Sequence, residues 1–225
     1  MQTTILSLGG SIIVPDQVDT AFLAKFKTLI EKQVKEGKRF VIVCGGGKTN
    51  SRYLTALQGI TDVAHEDGDW LGIMATRLNA ELVRILFGEL AHPKVLVDPT
   101  AQSNAKESVI IAAGWKPGHS TDYDAVLWAK QFGADTIVNL SNIDYAYTAD
   151  PKKDPKAEKI ERATWKEFRK LVGEEWSPRL NLPFDPIASK EAEKLKLQVI
   201  IAKGTDLENT ERILKGEKFT GTVIR

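Results

Sequence analysis

The chain has 225 residues, 42% hydrophobic and 27% charged, with 31 Lys and Arg against 30 Asp and Glu for a formal net charge of +1. That balance supplies no field to draw nucleic acid or an anionic membrane, and no run approaches the ~20 apolar residues of a membrane helix. A lone cysteine, Cys44, excludes an internal disulfide or a cysteine zinc cluster, and His65, His92 and His119 are too scattered for paired metal ligation. The N-terminal MQTTILSLGGSIIVP lacks the basic flank and apolar length of a signal peptide, so a cytoplasmic setting is expected. With no linker in view, a single domain over residues 1–225 is expected too.

Short β-branched runs alternate with longer amphipathic ones, the pattern of a mainly parallel sheet covered by helices. Residues 4–8 read as a strand that ends at Gly9-Gly10. A helix capped by Asp19 follows, with Phe22, Phe26, Leu29 and Ile30 on one face and a stop at Gly37. Residues 40–44 are almost continuously apolar, as in a strand buried on both faces, and break into Gly45-Gly46-Gly47-Lys48. One or two helices fill 48–59, and a long one runs from about Asp69 to Leu90. Its residues Ile73, Leu78, Leu82, Ile85 and Leu86 are too apolar for one covered face, which points to a dimer contact.

Strands are predicted at 94–97 and 108–111, then a loop at 114–120, a helix at 121–132 and a strand at 136–140. A charged hairpin or excursion takes 143–162; its interleaved Lys152, Lys153, Asp154, Lys156, Glu158, Lys159 and Glu161 read as a solvated face. Helices at 164–172 and 186–196, a structured loop at 176–183, a strand at 198–201, a helix at 206–215 and a strand at 219–224 complete the chain. Trp70, Trp128, Trp165 and Trp176 are assigned to core or interface. The fold class expected is a three-layer α/β/α sandwich around a mainly parallel sheet.

Ligands of open α/β sheets bind beyond the carboxyl ends of the strands. Glycines gather there: Gly9-Gly10, Gly45-Gly46-Gly47, and Gly114 with Gly118. Such turns let backbone approach a ligand and aim N–H groups at anions, so three of them suggest a substrate with several phosphates. Two familiar phosphate motifs fail. A Walker A ending at Gly47-Lys48-Thr49 would need glycine at Ile42, and a dinucleotide fingerprint from Gly45 would need it at Asn50.

In chain order stand Gly9-Gly10-Ser11, Gly45-Gly46-Gly47-Lys48, Asp69-Trp70-Leu71-Gly72, the run from Ala75 to Ala80, Pro117-Gly118-His119-Ser120-Thr121-Asp122, the run from Tyr147 to Pro155, and Asp185-Pro186-Ile187-Ala188-Ser189-Lys190. Together these resemble the amino-acid kinase superfamily over essentially the whole chain. The PGHSTD and YTADPKKDP segments narrow the resemblance to the uridylate (UMP) kinases of archaeal type. It implies transfer of the ATP γ-phosphoryl to the 5′-phosphate of UMP, giving UDP and ADP, with Mg2+ held mainly by ATP phosphates and a homohexamer built as a trimer of dimers. An acceptor phosphate is already ionised at neutral pH, so no general base is required, and catalysis rests on positioning and charge stabilisation.

Position by position, the resemblance places Ser7, Gly9, Gly10, Ser11, Gly47 and Arg52 around the ATP phosphates. Ser141, Asn142, Tyr147 and Asp150 fall on the ATP adenine and ribose side. It brings Gly46 to UMP, makes Asp69 the acceptor of its ribose hydroxyls, and wraps UMP with Trp115, Lys116, Pro117, Gly118, His119, Ser120 and Thr121. Lys48 and Asp122 become the catalytic pair, Asp122 orienting the cations. A second reading makes Asp69 and Asp122 helix N-caps and Tyr147 a core residue.

Four departures from the family pattern stand out. Ser7 occupies the place of a lysine, as in many archaeal relatives, which moves the charge burden to Lys48, with Lys153 behind it. Ser51 replaces an arginine, with Arg52 next to it. Tyr145 replaces a glycine in the Asn142-Ile143-Asp144 turn, which requires a rebuilt turn or a stacked ring. Trp115 is large for the UMP loop and packs on the base or on the protein. The alternatives are another small-acceptor kinase of the superfamily (acetylglutamate, glutamate, aspartate, carbamate or isopentenyl phosphate) or a non-catalytic nucleotide-binding storage or regulatory protein of that fold. The segment 48–51 lacks the histidine of isopentenyl phosphate kinases, and 225 residues leave no room for the regulatory domain usual in aspartate kinases.

Overall fold

The computed structural model describes residues 3–173 and 182–225. Its first half carries β1 (Thr3–Leu8), a single turn α1 (Gly10–Ile13), α2 (Thr20–Lys35), β2 (Arg39–Cys44), α3 (Gly47–Gln58), α4 (His65–Phe87) and β3 (Val109–Ala112). Then come α5 (Thr121–Phe132), β4 (Thr136–Ser141), β5 (Ala146–Tyr147), β6 (Lys159–Ile160), β7 (Arg162–Ala163) and α6 (Trp165–Val172). The chain closes with α7 (Pro186–Lys194), β8 (Gln198–Lys203), α8 (Leu207–Lys215) and β9 (Thr222–Ile224).

Among the described residues seven strands form one sheet in the order β3-β2-β1-β4-β8-β9-β7. Every pairing is parallel except β8 with β9. Strand side chains alternate between two cores, because successive residues point to opposite faces. Leu6, Leu8, Phe40, Ile42, Val138 and Leu140 pack under α2, α4 and α8, against Phe26, Val83 and Ile213. Ile5, Val41, Val43, Ile110, Ile137 and Val199 pack under α5, α6 and α7, against Trp128, Phe168 and Ala188. The three-layer sandwich is as expected. Burying each such aliphatic side chain contributes roughly 1.5–3 kcal/mol, so the two faces hold the sheet's carboxyl edge as a rigid platform.

Asp19 caps α2 by accepting from Phe22 N at 2.9 Å, and Gly37 follows the helix at φ +89°. Thr164 and Glu167 form a capping box on α6. Three expectations change. Residues 94–97 make no strand: Leu96 forms an isolated bridge to Ala112, since Pro93 and Pro99 flank too short a run for a ladder. The long helix starts at His65 rather than Asp69, its first turn carrying Glu66 and Asp67 where the helix dipole favours them, and ends at Phe87 before a 3₁₀ turn at Gly88–Leu90. Ile73 faces inward and Leu86 packs against the core, while Trp70, Met74, Leu78, Leu82 and Ile85 form the exposed apolar stripe. The predicted loop at 176–183 lies mostly outside the described residues. Residues 143–162 do form an excursion, with β5 and β6 pairing as a small antiparallel ribbon.

Candidate active site

From β1 the chain crosses to β2 on one side and β4 lies on the other, so the crossovers diverge at the carboxyl ends of β1 and β4. That is the switch point where α/β sheets bind ligands. The glycine turns meet there. A Cβ on Gly10 would sit 2.0 Å from Gly47 N, and one on Gly45 2.4 Å from Gly10 N. Gly47 also lies at φ +60°. Glycine at these positions is demanded first by one loop lying on the other, not only by access for a ligand. Asn79 on α4 clamps the second loop, its Nδ2 donating to the carbonyls of Gly45 at 2.8 Å and Gly46 at 3.1 Å.

Beside this loop pair opens a cavity of about 300 Å³, the lower end of the small-ligand range. Its walls are Gly46 and Asn50 at the head of α3, the stripe Gly68, Gly72 and Thr76 of α4, Gly114 and residues 119–121, and the head of α7.

The model of the amino acid kinase family matches residues 2–203 of this chain. The uridylate kinase of Methanospirillum hungatei is 33% identical over 227 residues, spanning 100% of this chain and 95% of the relative. That of Pyrococcus abyssi is 32% identical, spanning 98% of each. The crystal structure of uridylate kinase from Archaeoglobus fulgidus superposes with a TM-score of 0.85 at 33% identity, covering all of both chains. The chain belongs to the uridylate kinases of the amino acid kinase family.

In this uridylate kinase family member the cavity gathers Gly46, Asp69, His119, Ser120, Thr121 and Asp122, six of the residues singled out from sequence. Neither acid is a cap. Asp69 is the fifth residue of α4, whose N-cap is Ala64, and its Oδ2 accepts from Gly118 N at 2.9 Å. Asp122 follows Ser120, the true cap of α5, whose Oγ accepts from Tyr123 N at 3.1 Å. The remaining loop residues, Trp115, Lys116, Pro117 and Gly118, stand outside the cavity wall. Trp115 packs on the protein: its ring meets His119 edge-on at 4.9 Å, and Lys116 Nζ lies 4.0 Å from its centroid.

Asp122 is poor in partners. Ser7 Oγ approaches at 3.4 Å, Asn139 Nδ2 at 3.5 Å and Asp185 N at 3.3 Å, with no cation among them. Burial, then the neighbouring Asp185 carboxylate, pushes its pKa up to about 7. Burial raises Asp185 as well, although Ala188 N donates to its Oδ1 at 2.6 Å as the cap of α7. Ser7 and Asn139 are register partners on β1 and β4, so both side chains reach Asp122.

Of the residues assigned to ATP, Ser11, Arg52, Asn142 and Asp150 are exposed, Gly9, Gly47, Ser141 and Tyr147 half-buried, and Ser7 and Gly10 buried. Gly9, Gly10, Ser11 and Gly47 belong to the paired loops, with Gly9 N donating to Leu140 O at 3.0 Å. Ser141 ends β4, and its Oγ accepts from Ile143 N at 3.3 Å. Asn142 and Asp150 are exposed, Asp150 holding its turn through Lys152 N at 3.0 Å, and Tyr147 is half-buried in β5 rather than core. Lys48 is exposed at the head of α3, whereas Arg52 points away to Asp16 at 2.5 Å. Tyr145 adopts ordinary backbone, since Lys196 is the sole non-glycine with positive φ among the described residues. Its ring lies 5.0 Å from Lys159 Nζ.

Sequence reasoning missed Asn50, Gly72, Ile73, Thr76 and Asp185 as cavity walls. A signal existed: Gly68, Gly72 and Thr76 recur every four residues, one narrow stripe of small side chains on a long helix. Thr76 Oγ1 accepts from Gly114 N at 2.8 Å and donates to Ile73 O at 2.7 Å, fixing the start of the 114–121 segment.

Proposed function

We propose that this kinase transfers the ATP γ-phosphoryl to the 5′-phosphate of UMP, giving UDP and ADP, through one catalytic unit spanning the chain. The observation that carries the reading is the cavity beside the paired glycine loops, walled by Asp69, Gly114 and residues 119–121. UMP sits in it, with Asp69 accepting from ribose hydroxyls and the heads of α3 and α5 turning N–H groups toward its phosphate. ATP lies over the open side, its phosphates on Gly9, Gly10, Ser11 and Gly47 and its nucleoside toward Ser141, Asn142, Tyr147 and Asp150. The acceptor phosphate has its second pKa near ~6 and attacks in line without a base. Lys48 neutralises the transferring group in place of the lysine lost at Ser7, and Asp122 orients the cations. Arg52, paired with Asp16, would have to turn to take part.

Magnesium, when bound with ATP, offsets charge on the phosphates. We expect that ion to be held mainly by phosphate oxygens and water. The exposed stripe Trp70, Met74, Leu78, Leu82 and Ile85 suits a subunit contact in the homohexamer expected of the family. No helix among the described residues is long and apolar enough to cross a membrane.

The test is ³¹P NMR of the protein with ATP, Mg2+ and UMP. Growth of UDP and ADP signals is expected. Binding of ATP without any transfer would instead support a storage or regulatory protein.

A further inference from the structure

The acceptor cavity carries three carboxylates, Asp69, Asp122 and Asp185, and no lysine or arginine among its described lining. Its basic side chain is His119. A phosphate dianion entering there meets charge of its own sign unless backbone N–H groups and this histidine offset it.

Behind His119 stands Asp124 of α5, fully buried. Asp124 Oδ2 accepts from Trp115 N at 3.1 Å, but Oδ1 has no hydrogen-bond partner. The Nδ1 of His119 is likewise buried and unpartnered, 3.8 Å from that oxygen. The distance is long for a hydrogen bond and within reach of an ion pair once the ring is charged. Trp115 and Tyr123 hold the imidazole between them, each with centroids at 4.9 Å. Burial raises the pKa of Asp124, so its carboxylate gains from a cation beside it.

The other charged groups around the pair are Asp122 on α5, Asp185 at the head of α7, and Asp69 on α4 through Gly118. Lys116 lies over the Trp115 ring, and Arg77 is committed to the carbonyls of Gly114 and Trp115. With Nδ1 turned to Asp124, the opposite ring nitrogen, Nε2, is the one a ligand can meet. A neutral ring with its proton on Nδ1 would offer a lone pair to the phosphate, whereas the imidazolium offers an N–H.

We propose that Asp124 is a positioning residue that holds Nδ1–H of His119 and directs Nε2–H at the acceptor's phosphate, so that acceptor binding takes up one proton from solvent onto the ring. The proposal rests on the cavity being the UMP site. The bond gained is one N–H, and none is broken in the nucleotide.

The test follows the histidine ring ¹⁵N signals at about pH 8, where the phosphate is fully ionised and supplies no proton. The His119 resonances are assigned by their loss in His119→Gln. Adding UMP should convert them to the doubly protonated pattern, while uridine, lacking the phosphate, leaves them unchanged. In steady state Asp124→Asn should raise KM for UMP roughly 10-fold, the loss of a charge-assisted hydrogen bond, and flatten its pH dependence. Its kcat and KM for ATP should stay within about 2-fold, since no donor-side group is touched. If Asp124→Asn does not fold, the wild-type titration decides alone. A ring that stays neutral with UMP bound, an identical response to uridine, or an Asp124→Asn defect spread equally over both substrates overturns the proposal. Failure of the wild type to bind UMP or uridine would overturn the acceptor assignment itself and this proposal with it.

Discussion

The two sides of the switch point are built differently. The side proposed for the acceptor is walled by helices, with contacts that fix its walls: Thr76 on Gly114, Asp69 on Gly118, and Asn79 behind them on the second glycine loop. The side proposed for the donor consists of paired backbone loops and a two-stranded ribbon, with Asn142, Asp144 and Asp150 in solvent. A walled cavity discriminates by shape and by buried polar groups, whereas an open ledge of N–H groups accepts phosphate with little reading of what is attached. Selectivity should therefore reside with the acceptor, and substitutions on the two sides should separate cleanly in KM.

The loop pair serves both sides, so breaking it should abolish the distinction. Gly10→Ala places a Cβ 2.0 Å from Gly47 N, where only backbone could yield. We expect a loss of ~3 kcal/mol or more in urea unfolding and no measurable kinase activity. Lys48→Ala should lower kcat about 10²-fold with smaller changes in either KM, as removal of a transition-state charge does. Wild-type turnover in that variant would end its role as substitute for the lysine absent at Ser7.

Asp122 sharpens the comparison through pH. Its folded pKa of about 7 lies above the ordinary carboxylate value of 3.8, so the fold binds the extra proton between those limits. Stability contributed by this group is present at acid pH and is lost as pH rises toward 7. Asp122→Asn should therefore stabilise the free protein at neutral pH by a few kcal/mol and flatten the pH profile of its melting, while depressing turnover. Asp69→Asn is expected to raise KM for UMP roughly 10-fold and leave KM for ATP unchanged, measured in the same assay. Smallest of all, Tyr145→Phe keeps the ring over Lys159 and should shift stability by less than ~0.5 kcal/mol.

Much of the sheet was legible because its signals are local. The apolar run at 40–44, the Asp19 cap and the glycine breaks each need only their neighbours to be read. The cavity was legible in part. Gly46, Asp69 and the 119–122 segment came from motif order; Asp185 stood in the same order without a role, because its contact with Asp122, 63 residues away, is announced by no spacing. The long helix starts four residues before the expected Asp69, and Gly68 lies inside it, with Leu54 and Val63 facing the side it leaves bare. The demand for glycine at positions 10 and 45 was also invisible as loop-on-loop contact, since it joins turns 35 residues apart.

The most direct test of the acceptor-side account is a competition of phosphate acceptors under one set of conditions. ADP release from ATP and Mg2+ would be followed with UMP, CMP, dUMP, AMP, acetylglutamate and carbamate in turn. The account predicts strong release with UMP and kcat/KM for AMP lower by at least ~10²-fold, as buried polar recognition allows. Comparable use of AMP and UMP, or preference for a carboxylate acceptor, would contradict it.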